Sequence, residues 1–341
     1  MRAYEVTRFG GPEVLRLGER PDPPAAAGDV TVDVRAVGLN PIDLLQRSGT
    51  LRFANPPRFP FVPGNEFSGV VTAVGSKVTS VAIGDAVIGR TDKARLGALA
   101  ERVTIEATLV APMPRSLDFA SAAAVPLAGT TALQGIRDAL SVRPDDRLLI
   151  TGGSGVVGMF AIQLAARVGA HTVTTASAAS EPLLRSLGAD EVIDYRSRPV
   201  DESLGRFDKV FDLVGGAQTD TLLTLVSAGG RLVSVSSTPT PGSIRYDYAM
   251  SPLRAAALET VLWIATFGKR RRARKGKSTY RFLSMRPSSA DLKELTALID
   301  SGDLEIMLDS TYDFEHAADA FARVETRRAK GKVVVTVGDT A

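Results

Sequence analysis

Three glycines, Gly153, Gly155 and Gly158, stand in G-x-G-x-x-G register between the apolar run Arg147-Leu-Leu-Ile-Thr151 and a helical stretch, Val156 to Val168. Glycine permits the tight turn and lets backbone N–H groups approach an anion, and a helix N-terminus adds roughly half a positive charge at the same spot. The chemistry such a turn serves is recognition of a pyrophosphate, with Gly153, Ser154, Gly155, Val156, Val157 and Gly158 as the residues around it. The alternative is a glycine-rich turn without a ligand. A strand before and a helix after is the context that the dinucleotide motif requires.

The following strand, His171-Thr-Val-Thr-Thr175, bears on which dinucleotide would bind. An NAD site carries Asp or Glu at this strand's end to hold the ribose 2′-OH. Here Ala176-Ser177-Ala178 follows, with no acid before Glu181. A carboxylate would repel a 2′-phosphate, so its absence favours NADPH. Ser177 supplies a donor, and Tyr195 and Arg196 follow the third strand. Missing residue types narrow the chemistry further. The chain has no cysteine and two histidines, His171 and His316, which excludes disulfides, thiolate metal sites and a thiol nucleophile. No metal site is expected. Tyr246, Tyr248 and Tyr280 are candidate acids; packing or surface roles are their alternative.

These residues need elements to hold them. Up to about Arg115 the chain reads as short strands punctuated by turns, such as Val30–Val37, Phe67–Val74 and Ala86–Gly89, which suggests a barrel-like β domain. From about Phe119, Ala-rich helices alternate with apolar strands, the pattern of βαβ units and a parallel sheet. Leu253 to Phe267 reads as an apolar helix and Thr279 to Met285 as a strand. Between them, Lys269 to Lys277 packs seven cations into nine residues. That run is expected to be a solvated loop, with contact to an anionic partner or membrane surface, or to nucleic acid, as alternatives. Ser289–Ile299 and Phe314–Glu325 read as helices and Lys332–Val337 as a closing strand. The net charge of +3 over 341 residues does not imply nucleic acid. The chain lacks an apolar run long enough to span a membrane, and its N-terminus carries no secretory pattern, so the cytoplasm is the expected location.

Taken together, Gly38-Leu-Asn-Pro-Ile-Asp43, Pro63-Gly-Asn-Glu-Phe-Ser-Gly69, Val81-Ala-Ile-Gly-Asp-Ala-Val87, Ala128-Gly-Thr-Thr-Ala132, the glycine turn, Leu187-Gly-Ala-Asp190 and Gly331-Lys-Val-Val-Val335 make the chain resemble the medium-chain dehydrogenase/reductase superfamily. Within it the likeness is to the zinc-free, zeta-crystallin-like quinone oxidoreductase branch, with the second half similar to enone reductases and to reticulon-interacting oxidoreductases. The resemblance implies an α/β fold: a discontinuous GroES-like β-barrel catalytic domain (1–120 and 286–341) and a Rossmann doubly wound parallel-sheet domain (121–285). Zinc alcohol dehydrogenases of this superfamily place Cys, His and Cys where this chain has Asn40, Asn65 and Leu127. The resemblance therefore implies hydride transfer to an already activated acceptor, a quinone or an α,β-unsaturated carbonyl.

The same resemblance places Asn40 and Thr131 near the nicotinamide half, Ser236 by that ring, Ser177 and Tyr195 at the 2′-phosphate and adenosine, and Lys332 at the cofactor phosphates. Arg185 or Arg196 would stand in for a lysine that many relatives carry at Ser180. Many quinone reductases have a Tyr at the position of Leu51. Asn40 is otherwise a turn residue before Pro41, and Asp43 and Gln46 either line the catalytic cleft or begin a solvated helix. A non-catalytic NADPH-binding protein that senses redox state or docks a partner is the alternative reading. A homodimer is expected, with Leu262-Trp263-Ile264 available for pairing.

Overall fold

A computed structural model describes residues 1–52, 58–92, 95–244 and 252–338. The chain divides into two units, Met1–Thr130 with Pro287–Ala341, and Thr131–Arg286. In the first, β1 (Arg2–Val6) and β2 (Leu15–Glu19) form an antiparallel pair. The centre of the unit is β3 (Asp29–Leu39), in which Val30, Val32 and Val34 are buried and then Ala36 to Leu39 without a break. Alternation gives way to continuous burial as both faces become covered. Helix α1 (Pro41–Arg47) follows, with Pro41 in its first turn. The strands β4 (Glu66–Val74), β5 (Ala86–Arg90), β6 (Arg102–Glu106) and β7 (Val110–Pro112) continue the sheet.

Two short helices come next, α2 (Phe119–Ala122), capped by Asp118, and α3 (Pro126–Leu133). The divide between units falls inside α3, after Thr130, rather than at residue 120. The local reason is that α2 and the start of α3 are tied to the β unit. Ser68 Oγ donates to the Phe119 carbonyl at 2.6 Å, and the Leu127 N–H donates to Glu66 at 2.6 Å.

The second unit is a six-stranded parallel sheet ordered β10-β9-β8-β11-β12-β13. Its elements are β8 (Arg147–Thr151), α4 (Val156–Val168), β9 (His171–Ala176), α5 (Glu181–Ser186), β10 (Glu191–Asp194), β11 (Phe207–Asp212), α6 (Gln218–Leu225) and β12 (Val226–Ser234). Leu149, Val173, Val210 and Leu232, one from each of four adjacent strands, share its core. Each such burial contributes about 1.5–3 kcal/mol. Helix α4 ends at Gly169, whose positive φ closes the turn as L side chains rarely can.

After β12 come α7 (Pro252–Ala265), α8 (Phe267–Lys275) and β13 (Thr279–Phe282). The cationic run is therefore a helix over most of its length, not the loop its composition suggested. Ala273 is its buried contact, and Lys and Arg are good helix formers wherever their heads reach water. The chain then re-enters the first unit through α9 (Ser289–Asp300), capped by Ser288, β14 (Leu308–Asp313), α10 (Ala317–Glu325) and β15 (Lys332–Thr336). The closing strand pairs antiparallel with Ala36–Leu39 of β3, while β6 pairs with Asp29–Asp33 of the same strand. The first unit's large sheet reads β14-β15-β3-β4-β5-β7, with β6 on β3. That register carries Lys332 across to Asn40.

Candidate functional site

In the second unit the strand order reverses at β8, which pairs with β9 on one side and β11 on the other. Ligands of doubly wound sheets bind at the carboxyl ends of the strands where the order reverses. The glycine turn sits there, and buried threonines set its path. The Gly152 N–H donates to Thr175 Oγ1 at 3.0 Å and the Gly153 N–H to the Thr175 carbonyl at 2.9 Å. A Cβ on Gly153 would lie 2.1 Å from Thr174 Oγ1, and one on Gly158 would lie 2.6 Å from the Gly152 carbonyl. Gly155 is the N-cap of α4 and brings no side chain to cap it. The first-turn N–H groups at Val156, Val157 and Gly158 thus point out of the helix end without an intrahelical acceptor, beside Ser154. Those residues fit a dinucleotide's pyrophosphate.

Ser177 follows β9 at the same edge, its Oγ 3.4 Å from Ser180 Oγ. The Tyr195 N–H donates to the Ala176 carbonyl at 3.3 Å, which sets Tyr195 beside Ser177. Tyr195 and Arg196 are exposed, with the guanidinium 5.8 Å from the Tyr195 ring centroid. Arg185 is committed elsewhere: it bonds Glu181 at 2.8 Å and the Asp190 carbonyl at 2.8 Å. Ser236 lies past the end of β12, its hydroxyl donating to the Leu213 carbonyl at 2.8 Å. Thr131 is buried in α3. Tyr280 is buried with its hydroxyl on the Thr238 carbonyl, a packing residue, and burial pushes its ionisation up. Tyr246 and Tyr248 lie outside the described residues.

Asp212, at the end of β11, is a residue that motif reading missed. Its carboxylate is buried, accepting from Thr151 Oγ1, the Gly215 N–H and Thr219 Oγ1 at 3.2, 2.8 and 2.7 Å. It ties the loop after β11 to the strand that launches the glycine turn.

The first unit holds a second concentration of polar groups. Asn40 is buried; its Nδ2 donates to Glu66 Oε1 at 2.6 Å, and its Oδ1 accepts from Lys332 Nζ at 2.7 Å. Lys332 also donates to Glu66 Oε1, and both side chains are shut off from solvent. Lys332, expected at the cofactor phosphates, has its ammonium taken up inside the β unit by this pair. Glu66 was not singled out from sequence at all. Room for the three groups comes from Gly38, where a Cβ would stand 2.6 Å from Lys332 Cε and 2.7 Å from Glu66 Oε1.

Asp43, one helical turn on, is fully buried rather than at a solvated helix start. Its carboxylate accepts from the Asn40 N–H at 2.8 Å and from Asn65 Nδ2 at 2.6 Å. Burial pushes this carboxyl up to about 6, against the pull of those two hydrogen bonds. Gln46 Oε1 accepts from the same Asn65 nitrogen at 2.7 Å, which completes a network of Asn40, Asp43, Gln46, Asn65, Glu66 and Lys332.

Removing one member of a buried ion pair strands the other, at about 3–5 kcal/mol. Lys332→Met and Glu66→Gln should each cost that much in denaturant unfolding, while the double variant recovers most of the loss; simply additive losses would show that the pair is not coupled. Asp43 binds its proton more tightly folded than unfolded, so its contribution is full below the unfolded value of 3.8 and is lost as pH rises through about 6. Stability of Asp43→Asn relative to the parent should therefore rise between those pH values and level off above them. A difference independent of pH would refute the raised carboxyl.

Residues 26–115 match the alcohol dehydrogenase GroES-like domain, and residues 187–335 the zinc-binding dehydrogenase family. The chain is 31% identical to the mitochondrial NAD(P)H oxidoreductase RTN4IP1 of Danio rerio, covering 99% of this chain and 91% of that protein. It is 33% identical to 2-methylene-furan-3-one reductase of Solanum lycopersicum, over 98% of this chain and 79% of the relative. Among solved structures, the Escherichia coli quinone oxidoreductase complexed with NADPH superposes with a TM-score of 0.81 at 26% identity, covering 98% and 100% of the two chains. A GroES-like unit, a doubly wound sheet with an open phosphate turn and full-length relatives of this kind agree: the chain is an oxidoreductase belonging to the medium-chain dehydrogenase/reductase superfamily, alongside its quinone oxidoreductases and enone reductases.

Proposed function

We propose that this chain is an NADPH-dependent reductase that passes hydride to a quinone or an α,β-unsaturated carbonyl acceptor, and that it does so without zinc. The observation that carries the reading is the Lys332–Asn40–Glu66 cluster. At the three positions where zinc alcohol dehydrogenases have Cys, His and Cys stand Asn40, Asn65 and Leu127. Asn40 Oδ1 already accepts from an ammonium, and the Asn65 amide is engaged by Asp43 and Gln46. Amides and a leucine cannot replace thiolate and imidazole, and the Asn40 oxygen is already occupied by an ammonium at 2.7 Å. These residues do not fit zinc.

The cofactor side does fit. NADPH supplies hydride from its nicotinamide when bound. The chain's own part is to bind and orient: first-turn N–H groups of α4 take the pyrophosphate, Ser177 donates to the 2′-phosphate, and Arg196 adds charge beside Tyr195. No carboxylate stands at the end of β9 to oppose that phosphate. The NADPH complex of the Escherichia coli relative supports the choice. With no metal to polarise an isolated carbonyl, a suitable acceptor is one whose own conjugation spreads the added electron pair. Quinones and enones meet that condition, and the names of the relatives point the same way.

Purified protein mixed with NADPH and a panel of quinones and enones should consume the cofactor, undiminished by exhaustive chelation. Cofactor binding with no turnover on any acceptor would refute the reductase reading. In titrations NADPH should bind well ahead of NADH. Ser177→Asp should erase that preference, because about 1.4 kcal/mol of repulsion already removes a tenfold difference; equal affinities in the parent protein would refute the assignment.

A further inference from the structure

We propose that the helix pair α7–α8 docks on the surface of an anionic phospholipid bilayer. Helix α7 has two stripes. Leu262 and, at the helix end, Thr266 are buried, with Ala255, Leu258 and Glu259 half-buried on the same side. The opposite stripe, Leu253, Ala256, Ala257, Thr260, Val261 and Ile264, is exposed throughout, to 82% at Leu253 and 67% at Ile264. Its one hydroxyl, on Thr260, is satisfied by the Ala256 carbonyl at 3.0 Å. The stripe therefore offers water an almost wholly apolar face, which isolated proteins seldom expose unless something covers it.

What covers it is indicated by the charge beside it. Trp263 and Phe267 pack at a tilt at the α7–α8 junction, ring centroids 5.6 Å apart, and the Arg270 guanidinium lies 4.9 Å from the Trp263 ring. From there Lys269 to Lys277 carries seven cations, of which Arg272 is paired with Asp220 at 2.6 Å. Apolar stripe, tryptophan at the border and cations beyond it are the order of a helix that lies in the headgroup region of an acidic membrane. No helix among the described residues is long and apolar enough to cross one, so the pair would rest on the surface.

A second copy of the chain fits less well. Two-fold pairing sets a patch against itself. Residues 252–277 hold eight Lys and Arg, Arg254 with the seven, against one acid, Glu259, which already accepts from the Gly242 N–H at 2.8 Å. A nucleic acid would answer the charge and leave the apolar stripe in water.

Trp263 is the chain's one tryptophan, so its fluorescence reports on this surface without a label. The full chain should co-sediment with phosphatidylcholine vesicles containing phosphatidylglycerol, with a blue shift of emission, and should do neither with phosphatidylcholine alone. Binding should weaken with salt and fall about fivefold per cation lost in Arg271→Glu, Arg274→Glu and Lys275→Glu. Ile264→Ser, at an exposed position, should weaken vesicle binding while NADPH affinity stays unchanged. Absence of shift and sedimentation with the anionic vesicles would overturn the proposal, as would equal binding to both vesicle types. Self-association that buries Trp263 and is lost in Ile264→Ser, without vesicle binding, would give the face to a second copy. Binding of duplex DNA without vesicle binding would give it to nucleic acid.

Discussion

A buried ammonium on a buried carboxylate, Lys332 against Glu66, is the contact to which the rest of the first unit is fitted. Each charge alone would cost several kcal/mol to hold away from water, so neither is tolerable without the other and without further hydrogen bonds. Those are present: Asn40 bonds to both, and the Leu127 N–H takes the second carboxylate oxygen. The pair also explains the connectivity. Lys332 opens β15 and Asn40 lies just past the end of β3, 292 residues earlier, so the contact fastens the end of the chain to its beginning. A Cβ on Gly38 would meet the Ala123 carbonyl at 2.4 Å and, almost as closely, the two charged side chains, which leaves room there for glycine alone.

From that contact the polar network extends outward through α1. The Asn40 N–H holds Asp43, Asp43 holds Asn65, and Asn65 holds Gln46. Two amides, Asn40 and Asn65, thus stand in this network, the first of them on the Lys332 ammonium. In the second unit, by contrast, threonine hydroxyls and Asp212 shape the loops at the strand ends, and the first-turn N–H groups of α4 are left without an intrahelical acceptor. One unit is built around an internal ion pair and the other around a helix end whose N–H groups fit an anion.

The glycine turn was legible because its requirements are local: a Cβ at Gly153 or Gly158 collides with atoms within a few residues or on the adjacent strand. The parallel sheet was legible from apolar runs spaced by helices. Lys332 was not, since the resemblance set it at the cofactor phosphates and its partners in this chain follow from strand register. Glu66 and Asp212 were missed for the same reason, as single acids at the ends of apolar strands give no periodic signal. Helix α8 was misjudged because a run of cations shows no apolar stripe; one alanine, Ala273, is enough to seat it. Strand β14 escaped because Leu308-Asp-Ser-Thr-Tyr-Asp313 is polar and owes its extension to pairing with β15.

Hydride transfer to a conjugated acceptor with no metal to activate it leaves a signature in the product. Turnover of a simple enone with NADPH deuterated at the transferring position, after exhaustive chelation, tests this directly. The expected product is a saturated ketone with deuterium on the former β-carbon, formed at the rate seen before chelation. Deuterium on the carbonyl carbon, in an alcohol product, or turnover that disappears with the chelated metal, would contradict it.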